Sequence, residues 1–287
     1  MDILSFGAGT QSTALALMAC ENAMAKGKLP HPMVPIFDAV IICDLGLEAP
    51  WVYKQMHFVK RACEKVGIPF YIIDSPLYKD YMRDYGHKRV VSIPWWTKKD
   101  NGKEGKVGRR FCTLDYKTDK IASFVKWELL GYKKGSQIKE QDRKAHVMHI
   151  GFSAEEEDRC QDNPHPLFRN RFLLQEMGLD RAANYKYILD VWGLDTKASA
   201  CSFCPFHKNY FFQYMKEHEP EHYQQIVEFD NMLGERKPRP EMGARFFMSH
   251  SFKRIEELTP EDCDDGEFFT YCGKCSGGKP VQVWNGF

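Results

Sequence analysis

No long apolar run, no excess of one charge and no cysteine-dense stretch marks this chain, and each shortfall closes a class. Lys and Arg number 40 against 39 Asp and Glu, a net charge of +1, so no global field draws the chain to nucleic acid or to an anionic membrane. Ten cysteines in 287 residues are too few for a disulfide scaffold. Internal repeats and low-complexity tracts are missing too. One uncharged segment, Ile3 to Cys20, spans 18 positions. It has no basic leader, and its small, polar middle, GAGTQST, suits neither a membrane span nor a signal core. The expectation is a soluble, cytoplasmic protein with no membrane partner. What remains is ordinary globular material, 43% hydrophobic, 14% aromatic and 28% charged. At roughly 150 residues per domain, one large domain or two modest ones are expected.

Apolar patterning alternates between short β-rich runs and longer helical ones. Strands are expected at Ile3 to Phe6, Ala39 to Cys43, Phe70 to Ile73 and His146 to Ile150. Helices are expected at Ser12 to Ala25, Trp51 to Val66 and Thr113 to Leu130. Strands separated by helices imply parallel crossovers, hence an α/β fold: an open, mostly parallel twisted sheet with helices on both faces. Past about residue 165 the strand signal fades. Asp180 to Trp192 and Lys208 to Leu233 read as helices, with Gly193 a helix stop, and the last fifty residues are irregular. This suggests a nucleotide-binding domain over 1–165 and a helical, irregular region over 166–287.

The segment Ile3 to Thr13 reads as strand, small-residue loop and helix start. Small residues let backbone approach a ligand, and the free amides and dipole of the helix favour an anion there. A Walker loop needs a Lys that Gln11-Ser12 does not supply. A dinucleotide fingerprint wants Gly or Ala where Ser12 stands, and an acid nearer than Asp44. The pyrophosphatase loop, SGGxDS or SGGxQS, matches GAGTQS at Gly9, Gln11 and Ser12. An unliganded βα turn is the plain alternative.

Further along, Asp44, Gly46 and Glu48 follow the end of a strand, where an open sheet borders its ligand crevice. Lys117 on a helix, with Arg110 and Arg159 on loops, offers charge to phosphate. From Lys98 to Arg110 six basic residues face two acidic ones, beside Trp95 and Trp96. That segment is either a nucleic-acid contact or a solvated loop.

Together these segments resemble the phosphoadenosine phosphosulfate reductase-like branch of the adenine nucleotide α-hydrolase superfamily. Cys43-Asp44-Leu45-Gly46-Leu47-Glu48-Ala49-Pro50 is similar to its DTGxExP signature. Arg110-Phe111-Cys112-Thr113 with Lys117 is similar to RxCTxxxK, and Gly151 to Arg159 to GxRxxExxxR. Ser199 to Pro205 resembles its cysteine turn. The matches run from residue 3 to about 207, and the likeness is greatest to short members found in phages and prophages. Gln11 replaces the usual loop Asp, Ser153 stands where many relatives have Arg, and the chain ends without an ECGxH-like tail.

The resemblance implies ATP, or phosphoadenylated or adenylated sulfate, bound with Mg2+ through Ser5, Gly7, Ala8, Gly9, Thr10, Gln11, Ser12, Asp44, Gly46, Glu48, Arg110 and Gly151. Asp44, Lys117, Glu156 and Arg159 are its candidate catalytic residues, and Asp44 or Glu156 its candidate magnesium ligands. ATP would be cleaved to AMP and pyrophosphate to adenylate a substrate for sulfur transfer. Such chemistry implies a sulfur-donor protein and a nucleotide, nucleic-acid or small-molecule acceptor. The alternatives are a phosphosulfate reductase-type oxidoreductase and a non-catalytic nucleotide- or nucleic-acid-binding module.

Two CxxC pairs, Cys201/Cys204 and Cys272/Cys275, lie 67 residues apart. Four thiolates suit either tetrahedral zinc or an iron-sulfur cluster. The family likeness leans toward a 4Fe-4S cluster ahead of structural zinc. Cys263 with Cys272 and Cys275 offers a second arrangement, similar to the zinc motif of 7-cyano-7-deazaguanine synthase. Cys20, Cys43 and Cys63 read as core residues. Oligomeric state is not encoded in any of these features.

Overall fold

The structure is a computed structural model that describes residues 1–106, 108–236 and 243–264. The chain begins with β1 (Asp2–Ser5), α1 (Thr10–Met24), β2 (Ala39–Asp44), α2 (Pro50–Lys65) and β3 (Phe70–Asp74). It continues through α3 (Leu77–Asp84), the hairpin β4 (Trp96–Lys99) and β5 (Glu104–Lys106), and the short helices α4 (Phe111–Thr113) and α5 (Asp119–Phe124). Then come β6 (His146–Ile150), β7 (Phe168–Arg171), α6 (Leu173–Glu176), α7 (Arg181–Trp192), α8 (Asn209–His218), α9 (Pro220–Glu235) and β8 (Ala244–Phe247).

Five strands form one sheet in the order β3-β2-β1-β6-β7, and every pairing in it is parallel. Parallel neighbours need crossovers, and the crossover helices cover both faces. Strand residues accordingly alternate between two cores. Leu4, Val40 and Ile42 pack with Leu15, Val52, Met56 and Ile188 on one face. Ile3, Ala39, Ile41 and Met148 meet Ile121, Ala122 and Val125 on the other. A strand buried on both faces reads as an unbroken apolar run, as AVIIC does. Each such Leu or Ile contributes about 1.5–3 kcal/mol by leaving water.

The expected α/β fold with a parallel sheet and helices on both faces is thus present. Its boundaries shift by one or two residues, except that the sheet runs past residue 165: β7, of sequence FRNR, pairs with β6 through His146↔Phe168 to His149↔Arg171. The expected single helix over 208–233 is two. Glu219 leaves the helical range at φ −137°, and Pro220 opens α9, where its missing N–H costs nothing. The Asp180 side chain accepts a hydrogen bond from Ala183 N at 2.7 Å to start α7, and Gly193 ends it at φ 63°.

A second sheet, β5-β4-β8, was not expected. It is antiparallel and, with α3, α8 and α9, surrounds a third core built on Trp95, Phe203, Phe229 and Met232. Among the described residues no helix is long and apolar enough to cross a membrane. Cys272 and Cys275, and with them the cysteine-bound extension, lie outside the described residues.

Candidate functional site

Sheet order reverses between β1 and β6, so the loops leaving these two strands diverge and open a crevice at the carboxyl edge. The first loop turns there through Ala8, which holds φ 52°. Ser12 braces it: Oγ accepts from Gly7 N at 3.2 Å and donates to Gly9 O at 3.3 Å. Gln55 Nε2 donates to Ala8 O from beneath, and Thr196 Oγ1 donates to Thr10 Oγ1 at 3.1 Å.

Two glycines are required by close approach. A Cβ on Gly9 would lie 2.9 Å from Ser199 N, and one on Gly151 would lie 2.8 Å from Ser12 N. The backbone after β6 therefore presses directly on the first turn of α1.

The crevice holds a cavity of about 400 Å3, within the range of small-molecule sites. It brings together Ser5, Gly7, Gly9, Gln11, Ser12, Arg110, Lys117, Gly151, Glu156, Arg159, Cys201 and Cys204, all singled out in the sequence. Asp44, Gly46 and Glu48 are not in its lining, and Ala8 and Thr10 are buried beneath the loop.

Lys117 stands on a π-helical turn, Leu114–Thr118, between α4 and α5. Its half-buried ammonium lies 3.5 Å from Glu48 Oε1. Burial is the largest single effect and works against the charge, but Glu48, Cys201 and Cys43 together outweigh it, so the Lys117 pKa is raised. The amine remains a cation. Glu48 Oε2 is buried with no hydrogen-bond partner among the described residues. Asp44 is turned inward to its own loop, its Oδ1 accepting from Gly46 N at 2.8 Å and from Tyr53 OH at 3.0 Å.

Glu156 is fully buried. Its Oε2 accepts from Gln11 Nε2 at 3.0 Å, Ser153 Oγ at 3.0 Å and Ser153 N at 3.2 Å. Its Oε1 is bound by Arg159 and lies 3.5 Å from the buried guanidinium of Arg181. Glu156 is the one acid in the described lining, and both of its oxygens are committed to protein groups. It does not fit the expected role of magnesium ligand, and Asp44 lies outside the cavity.

The cysteine turn forms the facing wall. Ala49 N donates to Ala200 O at 2.8 Å and Ser202 N to Leu47 O at 2.9 Å, with Glu48 and Cys201 bridged between them. His207 Nε2 donates to Cys201 O at 2.8 Å while its ring stacks on Phe211 with centroids 3.6 Å apart. Burial depresses the His207 pKa to about 4, so the ring is neutral. Burial also raises the Cys201 thiol well above its ordinary value. Cys112, Cys201 and Cys204 together line a small adjoining cavity with Lys117 and Phe203. Among the described residues no group of three or more His, Cys, Asp or Glu is arranged to hold a metal. Cys201 and Cys204 both line the cavity, and the other two expected thiolates, Cys272 and Cys275, lie outside the described residues. Cys263 lies elsewhere, in a groove beside Phe212 and Tyr223. Cys20 and Cys63 are buried with Sγ atoms 3.8 Å apart.

Several lining residues carried no sequence signal, among them Asn163, His165 and Phe168. Of the two tryptophans expected beside the basic segment, Trp95 is a core residue, only 1% exposed. Trp96 alone meets it, with Lys106 Nζ 4.4 Å from its ring centre. Comparison with models of protein families finds no match to the chain, and comparison with curated proteins finds none.

Proposed function

We propose that the chain binds ATP on the first loop and cleaves it to AMP and pyrophosphate, adenylating an acceptor that is then thiolated. The observation that carries this reading is the convergence of the amide-rich loop with Arg110, Lys117 and Arg159 on one cavity at the reversal of strand order. The loop amides and the start of α1 receive the β and γ phosphates. Lys117, kept cationic by Glu48, and Arg110 offset charge as the bond from the α-phosphorus to pyrophosphate breaks and an acceptor oxygen takes its place. Catalysis is positioning and charge stabilisation. Glu156 positions Arg159 and Gln11 and touches no phosphate through its own oxygens.

Cys201 and Cys204, with Cys272 and Cys275, would hold the 4Fe-4S cluster or zinc ion of the helical C-terminal region. A cluster held there would supply a site for sulfur or electrons. A sulfur-donor protein and a nucleotide, nucleic-acid or small-molecule acceptor complete the reaction in the cytoplasm. The direct test is release of labelled pyrophosphate from ATP, dependent on an added acceptor. A protein that binds ATP and releases none with any acceptor class would sink the adenylation reading.

The thiols bordering the cavity favour one second reading, reduction of phosphoadenylated or adenylated sulfate, which would release sulfite instead.

A further inference from the structure

The cavity lining has two chemical sectors. One is the first loop with its cations. The other is drawn from the core beneath α5: Ile121, Ala122, Met148 and Phe168 are each no more than 5% exposed and also face the cavity. Phosphates suit the first sector and would be desolvated without compensation against the second.

His165 is a polar residue beside that apolar sector, its ring centre 5.3 Å from that of Phe168. Its Nδ1 accepts from Leu167 N at 3.3 Å, which places the ring proton on Nε2. Burial lowers its pKa, in keeping with a neutral ring. No protein group among the described residues accepts from Nε2. Its neighbour Asn163 is held in place, Oδ1 accepting from His165 N at 2.9 Å and Nδ2 donating one of its hydrogens to Asn170 Oδ1 at 2.8 Å.

An apolar sector with an in-plane ring donor at its edge suits a flat heteroaromatic ring carrying an unprotonated ring nitrogen. A sugar or peptide would leave polar groups unpaired against Ile121 and Ala122. We infer that His165 is a specificity-determining residue, its Nε2–H donating to a ring nitrogen of an adenine base lodged against Phe168 and Met148. This rests on the reading of the first loop as the phosphate site.

The test is calorimetric binding of ATP, its 1-, 3- and 7-deaza analogues and inorganic tripolyphosphate to the full-length protein and to His165→Phe, which keeps a ring and loses the donor. ATP should bind His165→Phe about five- to tenfold more weakly, the scale of one lost hydrogen bond, with tripolyphosphate unchanged. One deaza analogue should lose the same factor in the unaltered protein and nothing further in the variant. Equal ATP affinity in the two proteins, or ATP binding no tighter than tripolyphosphate, overturns the base site and leaves the loop reading intact. Failure of both ligands to bind the unaltered protein overturns the two together.

Discussion

Gln11 Nε2 donates to Glu156 Oε2 at 3.0 Å, across 145 residues of sequence. This bond ties the loop after β1 to the turn after β6, and behind it Glu156 anchors Arg159 and the fully buried Arg181. A carboxylate that neutralises a buried guanidinium cannot be removed cheaply. Glu156→Gln should destabilise the protein by about 3–5 kcal/mol, the cost of breaking a buried ion pair from one side, read from the denaturant midpoint. Gln11→Ala, which leaves that pair intact, should cost only about 1 kcal/mol. Equal midpoints for the two variants would count against this division of roles.

The two close glycines invite a contrast. Gly151→Ala drives a methyl group into Ser12 N, and Gly9→Ala drives one into Ser199 N, whereas a Cβ on Gly27 meets nothing within 4 Å. Gly151→Ala and Gly9→Ala should weaken nucleotide binding by more than roughly tenfold, since loop geometry and not mere bulk sets the amide directions. Gly27→Ala should bind as the unaltered protein does. Titration of the three variants with ATP decides it.

Lys117→Met removes the cation paired with Glu48. Under the adenylation reading pyrophosphate release should fall roughly 10²-fold, the usual loss for one group that stabilises developing charge. ATP affinity should fall less. A variant whose kcat is unchanged would place Lys117 outside the chemistry.

Metal content separates the cysteines. Cys201→Ser and Cys272→Ser should each abolish stoichiometric iron or zinc and, for a cluster, the broad visible band of thiolate-ligated iron near about 400 nm. Cys63→Ser, a change in the core between α1 and α2, should leave metal content alone. Retention of metal in Cys272→Ser would detach the C-terminal pair from the site.

His149 is fully buried, hydrogen-bonded to Asp2 at 2.8 Å, and burial lowers its pKa. Its ordinary value is about 6.5. Below that value the unfolded chain binds a proton that the folded protein resists, so the contribution present at neutral pH is lost as the pH falls through 6.5 toward the depressed value. Melting temperature should therefore drop on going from pH 7.5 to 5.5, and drop less in His149→Gln. Parallel curves would show that other groups carry the acid sensitivity.

How much of this was legible in the sequence varies with the kind of signal. AVIIC announces a strand because both of its faces are apolar, and HVMHI because Val147, Met148 and Ile150 supply an apolar run of strand length. FRNR does not, since Arg169 is exposed and Asn170 and Arg171 are only partly covered, so the fifth strand is recognisable only from its partner. TKK in β4 and EGK in β5 hide a hairpin inside what reads as a basic loop. The site was legible wherever backbone had to be small, at Gly9 and Gly151, and wherever a cation stood near a helix start. It was not legible at His165 and Phe168, where the role depends on which strand lies beside β6. At Glu156 the position was legible but not the role, because its partners Gln11 and Arg181 are distant in sequence and consume the oxygens that a motif match leaves nominally available.

The stitching of residues 47–49 to 200–202 by main-chain hydrogen bonds has a thermodynamic corollary. The thiols are bolted to the segment that carries Glu48, which in turn holds Lys117. Whatever occupies Cys201 and Cys204 is therefore coupled through the main chain to the wall that carries Glu48. If loading the thiols changes ATP affinity by some factor, ATP must change the affinity of the thiols for their occupant by the same factor. Sulfur or redox state and nucleotide state would then be two readings of a single equilibrium.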